Sequence, residues 1–313
     1  MRNRHIFILA AVLTVISVSL VTYKVRVLDY PLLPREQRQV WNIEAAISFD
    51  PGPAAVKATL KIPTLTPGFS VLDEYFISRG FGVSTRVTPA GREAEWAVRQ
   101  ASGPQTVYYR AVVYKDPQRI VEDTTPPFPP RPQLDEPSRI AMEGLIAEAR
   151  RQSADVASFT VQLLRRINQG ENDPYVSVFL DRRATPSERA ELATMFLAGA
   201  QIPARVAHGI ALRDKSGRVQ TDVLLEVHDG VQWLYFDPVT TQQGLPPDFL
   251  IWWRGDERIA NLEGGSGLEV TLAVQPNLFD AMMIAERRAK QLGSRSADFS
   301  LSTLPITTQT VYS

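Results

Sequence analysis

Six prolines in fourteen positions, TTPPFPPRPQLDEP at residues 124–137, divide this chain into parts with different hydrophobic periods. Proline lacks an amide N–H and has a fixed φ, so such a run holds a stiff, extended conformation. Before it, from Gln39 to Lys115, the segments VWNIEAAISF, AVKATLKI, FGVSTRV, EAEWAV and QTVYYRAVVY are rich in β-branched and aromatic residues. Turn clusters separate them: Asp50-Pro51-Gly52-Pro53, Pro89-Ala90-Gly91 and Ser102-Gly103-Pro104. Strands spaced by about ten residues with such punctuation predict a β-sandwich or small barrel. After the prolines the period becomes helical. Ile140, Leu145, Ile146 and Ala149 share one face of a first helix, and Val156, Phe159, Leu163 and Ile167 line a second that Gly170 can close. Thr185-Pro186-Ser187-Glu188 is a capping box that opens a third, with Ala190, Ala193, Phe196, Leu197 and Ala200 at core spacing. Strands then follow in ARVAHGIAL, RVQTDVLLEV and VQWLYFDP, and later in LEVTLAV, with an amphipathic helix expected near Leu278 to Leu292.

Composition narrows the chemistry. The 313 residues suffice for one large domain or two ordinary ones, and 44% hydrophobic with 22% charged residues excludes wholesale disorder. With no cysteine there is no disulfide, no thiolate metal site and no cysteine nucleophile. Thirty-four basic side chains balance 34 acidic ones, which argues against a nucleic-acid partner. The three histidines, His5, His208 and His228, leave few members for a metal site or for acid/base chemistry. No metal and no cofactor is expected.

The stretch from Ile6 to Tyr23 carries no charge. Its eighteen residues span roughly 27 Å as a helix, just enough to cross a hydrocarbon core. The alternative is a cleaved signal peptide, but no small-x-small cleavage site follows; the exit reads Leu20-Val21-Thr22-Tyr23-Lys24. The expectation is an N-terminal transmembrane helix that stays attached. Arg2 and Arg4 precede it and Lys24 and Arg26 follow, so charge bias is nearly balanced; a short basic N-terminus usually stays inside, leaving the bulk of the chain outside the cytoplasm.

Three pieces then occur in a telling order: AELATMFLAGAQIPARV (190–206), DVLLEV (222–227) and WLYFDP (233–238). Together they resemble the transglutaminase/cysteine-protease core, in which a helix is followed by G-I-P-A-R, H-A-W-V-E-V and W-x-x-x-D-P. The resemblance implies a cysteine at the start of the helix, a histidine on the next strand as base, and an aspartate on the following strand. Carried over one at a time, the cysteine position falls on Pro186, with Ser187 adjacent, and the histidine position on Asp222; only Asp237 is retained. Two of the three chemical groups are therefore missing. A paired-carboxylate mechanism through Asp222 and Asp237 is the active alternative. The plainer reading has Asp237 capping the turn before Pro238 and Asp222 solvated or paired to an arginine such as Arg205. His228 lies about 20 Å along its strand from Asp222 and reads as a turn histidine. His208 reads as a satisfied strand residue, and Trp252-Trp253-Arg254 as packing in preference to a ligand platform.

KATLKIPTLTPGFSVLDEYFISRGFGVSTR (57–86), ATPSERAELA (184–193) and LPITTQTVYS (304–313) are similar to one bacterial family in particular, inactive transglutaminases fused to seven transmembrane helices. The fold class implied is α+β: the N-terminal span, a β-sandwich-like region, then a transglutaminase-like, cysteine-protease-like core. The expected parts are an anchor and stem (1–38), a β-rich domain (39–118), the proline-rich linker (119–137), a degenerate transglutaminase-like domain (138–255) and a C-terminal strand and helix tail (256–313). The seven-helix region would begin about where this sequence stops, and no second apolar run of spanning length follows the first. The expectation is a truncated portion or a split product. The resemblance implies a pseudoenzyme of the inner membrane with its soluble part in the periplasm. It also implies association with an ATP-grasp ligase and a retropepsin-like protease. A binding or sensing module for a peptide-like ligand or envelope protein is the preferred function, ahead of altered chemistry or a structural docking subunit.

Overall fold

The computed structural model describes residues 12–20, 22–23, 37–64, 66–88, 91–117, 119, 125–180, 184–213, 216–280 and 283–284. The chain forms two compact units, one of Met1–Gln39 with Leu278–Ser313 and one of Val40–Asn277. In the first, residues 12–20 and 22–23 are helical, and Val12, Leu13, Val15, Ile16, Val18 and Leu20 are each half or more exposed. Residues 6–11 and 21 of the expected span lie outside the described residues. Among those described, no helix is long and apolar enough to cross a membrane.

The second unit begins as two facing sheets. The strands β1 (Gln37–Pro51), β2 (Val56–Ile62), β3 (Phe69–Ile77), β4 (Gly82–Thr88), β5 (Gly91–Val98) and β6 (Gln105–Lys115) supply most of both. Alternation decides what is buried. Ile43, Ala45, Ile47 and Phe49 of β1 face Val56, Ala58 and Leu60 of β2 and Trp96 of β5 in one core, while Asn42, Glu44 and Ser48 point away from it. The partners β8 (Gly217–Val219), β12 (Ala260–Glu263) and β13 (Gly265–Asp280) come from far along the chain. One sheet runs β3-β6-β1-β13-β8 and the other β12-β2-β5-β4. The LEVTLAV strand of the expected tail thus sits inside the first sheet, beside β1. The helix expected from Leu278 gives way there to the end of β13, and most of it lies outside the described residues.

The helical part holds α1 (Glu136–Arg151), α2 (Val156–Ile167) and α3 (Pro186–Gly199) against a third sheet. That sheet runs β10-β9-β7-β11. Its strands are β7 (Ala204–Ala211), β9 (Asp222–His228), β10 (Trp233–Phe236) and β11 (Phe249–Arg254). Leu145, Phe159, Leu163, Phe196 and Leu197 pack on Leu225, Val227 and Phe236. Ile140 is 56% exposed, and Ala141 and Met142 take the core place expected for it. The linker is held at Pro129, whose carbonyl accepts from Gln201 Nε2 at 3.0 Å.

β11 joins the two parts of this unit. It pairs with β7, yet Trp252 enters the sandwich core together with Ile210, Leu212 and Leu250. Trp252 Nε1 donates to the Lys61 carbonyl at 2.6 Å, and its ring meets Tyr109 edge-on at 6.0 Å. Thr66 Oγ1 donates to the Ile251 carbonyl at 3.0 Å. The tryptophan pair is packing, as the sequence reading preferred.

Candidate functional site

The helix expected to carry the nucleophile starts where the capping box places it. Thr185 is the N-cap of α3 and Pro186 the first helical residue. Thr185 Oγ1 accepts from the Glu188 amide at 3.3 Å, and the Glu188 carboxylate accepts from the Thr185 amide at 2.6 Å. These bonds use donors that a helix N-terminus would otherwise offer to an anion. Pro186 is exposed and Ser187 half-buried beside it.

The two aspartates sit near one end of the third sheet. Asp222 opens β9 opposite Gly209 and is exposed. Phe236 pairs with Leu225, so Asp237 comes level with Leu224, two residues from Asp222 on the same sheet face. That face packs Leu224 with Ala207, Phe249 and Ile251, whereas α3 lies on the other. The start of α3 is nevertheless tied to the Asp237 turn. Arg189 donates to Asn168 Oδ1, and Asn168 Nδ2 donates to the carbonyls of Pro238 at 3.0 Å and Val239 at 2.9 Å. Chain path and side-chain bonds therefore bring Pro186, Ser187, Asp222 and Asp237 to one end of the fold, with the aspartates and the helix on opposite faces.

Asp237 already has a role there. Its Oδ1 accepts from the amides of Val239 and Thr240, both at 2.8 Å. This is the turn-capping expected from sequence. Arg205 stands directly opposite Glu226 in the ladder and pairs with it. Arg254 forks onto the same carboxylate at 2.8 and 2.9 Å, and Glu226 is 0% exposed. Arg205 also lies 3.8 Å over the Trp233 ring. Burial, then the nearby Glu226 charge, pushes the Tyr235 hydroxyl up to about 12. Sequence reasoning missed this ionic cluster, as it missed the buried Asp173 that pairs with Arg166. Its signal is the ladder register that sets Arg205 opposite Glu226.

The described histidines are occupied elsewhere. His228 ends β9, at the far end from Asp222, where its Nδ1 accepts from the Gly230 amide at 3.1 Å. His208 stacks on Trp253 at 4.2 Å with Nε2 3.0 Å from the Gly255 carbonyl oxygen. Burial holds the His208 pKa below the ordinary 6.5. The folded state therefore resists protonation, and as pH falls through about 6.5 the unfolded chain takes up the proton first. Stability contributed by neutral His208 is present above that value and falls away below it. The melting temperature should drop between pH 7.5 and 5.5, and by less in His208→Phe. Equal drops in parallel thermal melts would refute this role.

Two cavities flank the start of α3. One of about 350 Å³ is lined by Asn168, Gly170, Asn172, Ala184 and Arg189. The other, about 750 Å³, runs past Phe179, Ala184, Glu188, Glu191 and Met195. No group of acidic or histidine side chains able to hold a metal occurs among the described residues.

Helices laid on an antiparallel sheet, beside a sandwich of two further sheets, define an α+β protein. The chain belongs to the family described as inactive transglutaminase fused to 7 transmembrane helices, whose profile matches residues 23–183. It is also similar to the crystal structure of a proposed cysteine protease from Cytophaga hutchinsonii, at 16% identity and a TM-score of 0.48, over 79% of this chain and 94% of that one. No curated protein matches it.

Proposed function

We propose that this chain is a catalytically silent, membrane-anchored module of the periplasm that binds a peptide-like ligand at the end of the fold carrying Pro186, Ser187, Asp222 and Asp237. One observation carries the reading: the groups nearest the former chemistry are bound into caps and turns. Thr185 and Glu188 close the helix start, and the Asp237 carboxylate holds its own turn. An acid/base pair of Asp222 and Asp237 would need that carboxylate free to move a proton. In this reading Pro186 stands at the cysteine position and Asp222 at the histidine position of an active relative. The cavities of about 350 and 750 Å³ beside α3 are of the size that small ligands fill. The anchor is the apolar stretch from Ile6 to Tyr23, and partners would be envelope proteins, including an ATP-grasp ligase and a retropepsin-like protease.

Alanyl-glutamyl tripeptides are a direct probe. At a hundredfold excess over Kd a ligand specific to the folded state adds about 2.7 kcal/mol of apparent stability, read as a raised melting temperature. Asp222→Arg and Glu191→Arg, both at exposed positions, should abolish the shift without lowering the unliganded melting temperature. A shift that survives both variants, or none with any peptide, would sink the proposal.

A further inference from the structure

Six strands form the edges of the three sheets among the described residues: β3 and β8, β12 and β4, β10 and β11. An open edge offers unpaired backbone groups to any extended chain, and proteins blunt edges by shortness, charged side chains, bulges, proline or a covering helix or loop. Five of the six are short or irregular. β8 has three residues, and β10 and β12 four each. β3 is irregular between Val71 and Asp73, and β11 between Ile251 and Trp253.

β4 is neither, and Arg86 is its one charged side chain. Its seven residues, GVSTRVT, pair with β5 in unbroken register from Gly82–Ala97 to Thr88–Gly91. It has no proline. Val83 and Thr85 stand opposite the core residues Trp96 and Ala94, so Val83, Thr85 and Val87 share the inward face. Yet Val83 is 41% and Val87 81% exposed. The inward face therefore presents apolar side chains at an open edge.

The outward face says what would fit. A row of alternating charges crosses the sheet: Glu263 to Lys57 at 3.9 Å, Lys57 to Glu95 at 3.3 Å, and Glu95 to Arg86 at 3.5 Å. Arg86 also meets Glu93 at 2.9 Å. The row ends on β4 at a cation whose side chain is 51% exposed. The next strand continues the alternation with a carboxylate on this face, and covers Val83 and Val87 with apolar residues on the other. A second copy of this chain fits worse. Antiparallel pairing centred on Thr85 sets Val83 against Val87, but places the two Arg86 side chains diagonally on one face, where like charges repel.

We propose that β4 is a docking edge for an extended acidic segment of another polypeptide chain, which adds as a fifth strand to this sheet with a carboxylate facing Arg86. Main-chain hydrogen bonds supply affinity and the Arg86 and valine contacts supply choice. This edge is separate from the α3 end of the fold, and its test is independent of any ligand there.

The 313-residue chain in detergent is titrated with the fluorescent peptide TVTVEVTVT and with TVTVKVTVT. Anisotropy should show tighter binding of the glutamate peptide, by about fivefold or more. Amides of β4 should gain hydrogen-exchange protection on binding. Arg86→Glu should reverse the preference between the peptides. Val87→Lys, at a position 81% exposed, should abolish binding of both while leaving the melting temperature unchanged. Equal affinity for the two peptides, no binding, or β4 amides already protected in the free chain would overturn the proposal. A concentration-dependent dimer lost in Val87→Lys would overturn it too, in favour of self-pairing.

Discussion

Glu226→Ala will destabilise the fold by about 3–5 kcal/mol, because it leaves two partly buried guanidinium groups without their shared carboxylate. Glu226 is 0% exposed, while the side chains of Arg205 and Arg254 are 28% and 15% exposed. The three residues come from β9, β7 and β11, so the loss falls on three of the four strands in that sheet. In a denaturation melt the drop should be about 10 °C. A control separates charge from packing. Replacing all three residues together, with Arg205→Met, Glu226→Leu and Arg254→Met, removes the ions as a set and should cost less than Glu226→Ala alone. A single-variant loss under 1 kcal/mol would mean that water reaches both arginines and compensates them.

Trp252→Ala should cost about 3–5 kcal/mol for the lost buried ring. Its ring fills space between the sandwich and β11, and its Nε1 serves the Lys61 carbonyl. Trp252→Phe keeps most of the apolar area and removes only that donor, so its cost should be about 1 kcal/mol. The decisive readout is the number of unfolding transitions. The two parts of the Val40–Asn277 unit share one hydrophobic cluster through Trp252, so the unsubstituted chain should melt once. Trp252→Ala should split the melt or broaden it. An unchanged single transition at an unchanged temperature would show that β11 does not couple them.

Much of the architecture could be read from residues alone where the signal was local. The capping box at Thr185 and Glu188 forms as expected, because both partners lie within one turn. Strand alternation in β1 and β6 matches the buried faces, because each strand has one wet side. The missed features depend on distant or irregular neighbours. β3 was not among the expected strands; FSVLDEYFI carries acidic residues, and its bulge near Leu72 breaks the two-residue period. The capping box of Asp155 and Ser158 at the start of α2 lacks the usual glutamate and went unnoticed. The partner of Arg205 could not be told from spacing in the chain, since Asp222 and Glu226 share a strand face and only ladder register selects between them. The places of Pro186 at the start of α3 and of Asp237 just after β10 were legible through the texts around them. The cap beside one and the turn held by the other were legible too; the tie between them through Arg189 and Asn168 needed the geometry.

The place of β13 has a consequence for how the protein comes into being. β1 begins at Gln37, whereas the strand beside it begins at Gly265. Synthesis proceeds from the N-terminus, so more than two hundred residues emerge before β1 can acquire that neighbour. During this interval Trp41, Ile43 and Ile47 belong to an unfinished sheet with a vacant flank. Closing it requires a long-range encounter, the slow kind of contact in folding. The nascent sandwich therefore keeps an unpaired flank throughout the making of the helical part, until β13 has emerged.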